Sequence, residues 1–144
     1  MPVIQTSTQA LSGLVRAILA HAWTILRFKH HGHGLRIGDF SLLFLGVVAV
    51  LCVLATAAIT PSSPDGHHPL VVAVITAAIF ACCFSFCGRV CVAGFILTTI
   101  ATEPVSIALR LVGLGGALET AFTLWVLVAQ LVFFFRAADA EKRA

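Results

Sequence analysis

Residues 40–60 read FSLLFLGVVAVLCVLATAAIT and carry no charged side chain. At about 1.5 Å of rise per residue, about 21 such residues reach across the roughly 30 Å hydrocarbon core of a bilayer. Lipid offers the backbone no hydrogen-bond partners, and a helix satisfies its N–H and C=O groups internally. This run points to an integral membrane protein of helices. The remainder agrees: of 144 residues, 60% are hydrophobic and 10% charged, against about 45–50% and about 25% in soluble domains. Three or four spans use up most of such a chain, so no soluble catalytic domain is left over.

A second apolar run starts at Leu70 and meets no breaker until Glu103-Pro104. As one helix it would be about 50 Å long, too long for a single upright crossing. Gly88-Arg89 interrupts it after a stretch just long enough to span, which predicts a tight hairpin there. The alternative is a continuous helix that breaks near Thr102 and gives three spans. Four spans are preferred, at about residues 40–60, 70–87, 90–112 and 117–135, forming two hairpins. Pro61, Pro64 and Pro69 punctuate the first connection, and Gly113, Gly115 and Gly116 the last.

Three parts follow: a basic arm and linker (1–38), a four-helix transmembrane domain (39–136) and a short charged tail (137–144). In the arm, Leu14, Val15, Ile18, Leu19, Ala22 and Ile25 recur at helical spacing with Arg16 and Arg27 opposite. That is an amphipathic helix lying in the interface, its cations toward lipid phosphates, or a helix docked on a partner. Arg16, Arg27, Lys29 and Arg36 all precede the first acid, Asp39, whereas the loop after the first span carries only Asp65. The positive-inside rule then puts both termini on the cytoplasmic side, or the matrix side in a mitochondrion, with Arg136, Lys142 and Arg143 returning there. Plasma, bacterial inner and mitochondrial inner membranes are equally compatible. The acid-free first 38 residues also resemble a transit peptide. The basic segment is a membrane-surface feature and gives no nucleic-acid partner.

Cys82, Cys83, Cys87 and Cys91 crowd ten positions around Gly88-Arg89, with Cys52 in the first span. Two soft ligands divided by an arginine do not make a four-ligand zinc site. They read as small apolar packing residues, with Cys87 and Cys91 placed for S-palmitoylation at the inner turn. His30, His31 and His33 have the ligand type for Cu, Ni or Zn but no carboxylate beside them, and read as a solvated linker. No cofactor is expected: there is no phosphate-binding glycine loop and no histidine in a span to hold a haem.

Ionisable groups inside spans are costly and usually face a partner or water. Here they are Glu103, Arg110 and Glu119. If the last two helices form an antiparallel hairpin centred between Leu114 and Gly115, positions at equal depth sum to 229. Arg110 then meets Glu119, Ser106 meets Thr123, and Thr99 meets Gln130. Arg110–Glu119 is thus expected to lock the hairpin. Glu103 has no countercharge at its depth and precedes Pro104, and reads as a neutral hydrogen-bond donor to a neighbouring helix or as a proton site. Ala73, Ala77 and Ala81 form a small-residue ridge that admits close helix approach. The expected function is non-catalytic: an accessory or structural subunit of a membrane complex, or a membrane-organising tetraspan, with the bilayer and other subunits or further copies as partners. A small oligomeric channel or proton-coupled transporter using Glu103 is the alternative.

Overall fold

The computed structural model describes residues 3–30, 35, 37–59, 68–114 and 116–142. It is all-helical: α1 (Val3–Leu26), α2 (Asp39–Ile59), α3 (Pro69–Leu111) and α4 (Ala117–Lys142). Three stretches are long and apolar enough to cross a membrane, Asp39–Ile59, Cys87–Leu111 and Ala117–Asp139. The apolar helix Pro69–Ser85 falls short of that length; it measures about 25 Å.

Glycines and caps set where these helices stop. Within α3, Gly88 alone departs from helical geometry, at φ 78° and ψ 170°, a region of backbone space that is essentially closed to residues with a Cβ. The helix continues without interruption through Thr102, Glu103 and Pro104, so the break near Thr102 that the three-span alternative required does not occur. The proline costs one helical hydrogen bond, a loss that packed neighbours tolerate. Gly113, at φ 75°, closes the C-terminus of α3: its N–H donates to the Arg110 carbonyl and that of Leu114 to the Leu109 carbonyl, the double bond of a Schellman cap. The end of α1 has the same pattern without a glycine. Phe28 takes φ 58°, with Phe28 N–H on the Ile25 carbonyl and Lys29 N–H on the Thr24 carbonyl. Its ring contacts Trp125 edge-on at 4.9 Å between centroids, which helps offset the left-handed backbone. At the start of α3, Pro69 occupies the first turn and the His68 ring accepts from the Leu70 N–H.

Named contacts fix the directions of the helices. Asp39 at the start of α2 pairs with Arg89, and Thr56 near its end meets Arg110, so α2 runs parallel to the part of α3 after Gly88. Residues 69–87, the part of α3 before Gly88, lie between these two parallel stretches along the chain. Ala77, Phe80 and Phe84 line one cavity together with Leu42, Val50 and Ile96. On an uninterrupted rod Ala77 and Ile96 would be about 28 Å apart, so α3 is bent at Gly88, where the backbone is non-helical. α4 descends antiparallel to α3, with Arg110 beside Glu119 and Gly94 beneath Phe133.

α3 stands at the centre, with α2 and α4 packed on it separately and α1 lying across α3 and α4. The core joins Leu42, Leu45 and Ala49 of α2 to Cys91, Val92, Ile96 and Leu97 of α3, and Phe133 and Ala137 of α4. Two features differ from the sequence reading. Ile25 of α1 and Leu35 after it are fully buried in this core, so the end of the arm is a packed part of the bundle, while Leu14, Val15, Leu19 and Trp23 remain exposed. The tail is not separate: α4 runs through it to Lys142, because residues 136–142 contain no helix breaker and Ala137 is buried.

Candidate functional site

The polar groups sit at three levels of the bundle. At the end where α3 passes to α4, Arg110 gathers three helices. Its Nε donates to Glu119 Oε1 at 2.6 Å, its Nη2 also reaches that oxygen, and its Nη1 donates to the Thr56 carbonyl of α2 at 2.8 Å. Both charged side chains are mostly covered, at 23% and 18% exposure. The guanidinium is always protonated and its planar fork holds two acceptors at once. Thr56 donates its hydroxyl to the Cys52 carbonyl, and its main-chain oxygen, in the last turn of α2 where carbonyls lack helical donors, accepts from Arg110. One side chain thus ties α2, α3 and α4 together.

The hydroxyls expected to pair across the α3–α4 hairpin are used differently. Thr99 donates to the Phe95 carbonyl and Thr123 to the Glu119 carbonyl. Thr98 and Thr102 likewise donate one turn back, to Gly94 and Thr98. Among the described residues no hydrogen bond joins Ser106 to Thr123 or Thr99 to Gln130. A hydroxyl in a helix has a carbonyl in reach one turn back, and that local bond forms in preference to one across a packed interface.

Glu103 lies between these levels, about 10 Å along α3 from Arg110. It is half-buried, its oxygens are not sealed in the interior, and among the described residues its carboxyl has no hydrogen bond or ion pair. Its nearest ionisable neighbour on α2 is within electrostatic reach, the thiol of Cys52. Pro104 beside it is exposed, so this part of α3 turns an outer face. A carboxyl in this position presents a strong hydrogen-bonding group to whatever adjoins the bundle.

At the opposite end, Asp39 and Arg89 form an ion pair at 3.1 Å, with side-chain exposures of 69% and 59%. The sequence reading missed this pair. Its partners are fifty positions apart, and only the parallel placement of α2 and α3 reveals it; the one local signal was an acid in the first turn of α2, where it favours the helix dipole. Between α1 and α4, the His21 and His30 rings share a hydrogen bond at 2.9 Å, and His30 also meets Phe133 edge-on. Arg136 donates to the Phe28 carbonyl. These contacts hold the arm on α4.

Of the arm's cations, Arg16 and Lys29 are exposed and Arg27 stacks over Trp23 at 5.8 Å. Arg36, His31 and His33 lie outside the described residues, as do Asp65, His67 and Arg143. None of the five cysteines forms a disulfide. Cys87 is half-buried, whereas Cys91 is wholly enclosed; a thiol without access to the surface is closed to acylation, so Cys91 is withdrawn as a palmitoylation site. No cluster of three or more histidine, cysteine or acidic side chains among the described residues could hold a metal ion.

Comparisons with protein-family models, with curated proteins and with solved structures give no match for this chain.

Proposed function

We propose that this is a four-pass membrane protein that acts without catalysis, by lateral association: an accessory or structural subunit of a membrane complex, or a tetraspan that organises its neighbours. Residues 69–85 form the short second pass, accommodated by local thinning of the bilayer or by the polar residues flanking it. The end bearing Arg89, Arg136, Arg27 and Lys29 is the cytoplasmic or matrix side by its charge. Both termini lie there.

One observation carries the reading, the Glu103 carboxyl, which is half-buried within an apolar helix and has no hydrogen bond or ion pair among the described residues. Insertion of an acid at such depth is costly, by about 2.5–3.5 kcal/mol if it is charged at the centre of a span. A donor or acceptor on a neighbouring transmembrane helix relieves that cost. Arg110 does not serve, being engaged with Glu119 and Thr56.

Blue-native electrophoresis from mild detergent, together with proton flux in reconstituted vesicles, tests the proposal. Wild type is expected to migrate as a complex larger than one chain. Glu103→Gln, which keeps hydrogen bonding, retains the complex; Glu103→Leu disperses it, and flux stays at that of empty vesicles throughout. A single-chain species in wild type overturns the reading. Flux abolished by Glu103→Gln replaces it with a proton-coupled transporter or channel.

A further inference from the structure

The cavity between α2 and α3 has a volume of about 610 Å³, within the roughly 300–1,000 Å³ of small-molecule sites. Its walls are aliphatic and aromatic side chains and the small residues Gly46, Ala77 and Ala81, and only Asp39 and Arg89 among its lining residues are charged. Those two form a single pair at one end. Leu43, Val47, Leu51 and Phe84 are between 46% and 69% exposed, so the cavity opens sideways toward whatever surrounds the bundle.

We propose that this groove is a phospholipid site: one acyl chain lies between α2 and the first part of α3, and a phosphoethanolamine headgroup docks on the Asp39–Arg89 pair. The inference rests on reading the bundle as membrane-spanning. Three relationships carry it. The groove extends from Asp39 to Leu51, about 18 Å of helix, and one leaflet of a roughly 30 Å hydrocarbon core supplies about 15 Å of chain. The charge at its end is one cation beside one anion, complementary to a zwitterion. Arg89 offers a fork of N–H donors to the phosphate, and Asp39 accepts from the primary ammonium. Because the pair is exposed to solvent it is individually weak, and it can exchange its mutual contact for two contacts with the headgroup. The ridge of alanines acquires a role in the same way: Ala73 is buried, while Ala77 and Ala81 line the groove and leave the volume the chain fills.

Native mass spectrometry of the full chain, released from nanodiscs containing equal phosphatidylethanolamine and phosphatidylglycerol, tests the site. The expected result is one retained phospholipid per chain, with phosphatidylethanolamine favoured about tenfold, the ratio one charge-assisted contact gives. Asp39→Asn should remove that preference while a phospholipid is still retained. Ala77→Leu combined with Ala81→Leu should abolish retention, with helicity by circular dichroism and elution volume unchanged. If the doubly filled variant does not fold, Gly46→Leu, which fills the opposite wall, is read instead. Retention undiminished by filling either wall overturns the site and marks the lipid as an unspecific annulus; retention with no headgroup preference in wild type overturns the docking on Asp39 and Arg89. A chain that does not enter nanodiscs fails at the earlier, membrane-spanning reading.

Discussion

Phe133 of α4 lies over Gly94 of α3 so closely that a Cβ built on Gly94 would clash with the Cε1 edge of its ring. Phe133 cannot yield easily, for it is 2% exposed and also meets the His30 ring. Two helices thus approach where one has no side chain, the arrangement by which membrane helices gain van der Waals packing. Gly94→Ala should destabilise the bundle by about 1–3 kcal/mol, the range for overpacked cores. Gly46→Ala is the control: its Cβ would meet Ile96 at 3.5 Å, an ordinary contact, and alanine's better helix propensity makes it neutral or stabilising. Unfolding in mixed detergent micelles, followed by circular dichroism, measures both.

Arg110 holds Glu119 and the Thr56 carbonyl together, so its loss is felt by α2, α3 and α4 at once. Glu119→Gln leaves a mostly covered guanidinium without its countercharge, and a cost of about 1.5–3 kcal/mol is expected, the value of hydrogen bonds to charged groups. Replacing both partners by methionine removes the unpaired charge along with the pair and should cost less than Glu119→Gln alone. The same unfolding assay, run as a double-mutant cycle, gives the coupling.

Gly88 bends α3 with a backbone that an alanine cannot adopt cheaply. Gly88→Ala should cost about 1–3 kcal/mol of strain, or the chain relieves it by straightening. Thiol accessibility distinguishes these outcomes. In a variant that keeps only Cys87, an impermeant maleimide should label from the side that carries the arm. If Gly88→Ala straightens the helix, that labelling is lost as Cys87 moves into the bilayer.

These three positions were not equally visible in the sequence. Gly88 and the glycines at 113–116 are legible, because interruption of an apolar run has few meanings. Arg110 and Glu119 were placed together by counting from the turn between them, which works when two helices are joined by a short connection. Asp39–Arg89 escaped that method: α2 and the second part of α3 are parallel, and their register depends on how residues 69–87 run between them. Gly94 gave no signal as a packing site, since a glycine in a helix looks the same whether it faces lipid or an aromatic ring. The arm was legible as an amphipathic helix, but an apolar stripe does not say whether lipid or protein covers it. The structure divides that stripe, with Ala22 and Ile25 against the bundle and Leu14, Val15 and Leu19 outside.

That division predicts opposite outcomes for neighbouring residues of α1. Ile25 is 1% exposed and belongs to the core that joins α3 and α4, so Ile25→Ala removes packed volume that little else can refill, at about 2–5 kcal/mol. The loss falls first on the arm, which is otherwise held by the His21–His30 hydrogen bond, the Phe28–Trp125 contact and the Arg136 bond to Phe28. Limited trypsinolysis reads this locally, since Arg27 and Lys29 flank the cap. Ile25→Ala and His30→Ala should each speed cleavage there while α2 to α4 remain intact. Leu19→Ala, at a position 53% exposed, should leave the cleavage rate unchanged and weaken only the hold of α1 on vesicles, because each buried methylene it removes from lipid contributes about 0.8 kcal/mol.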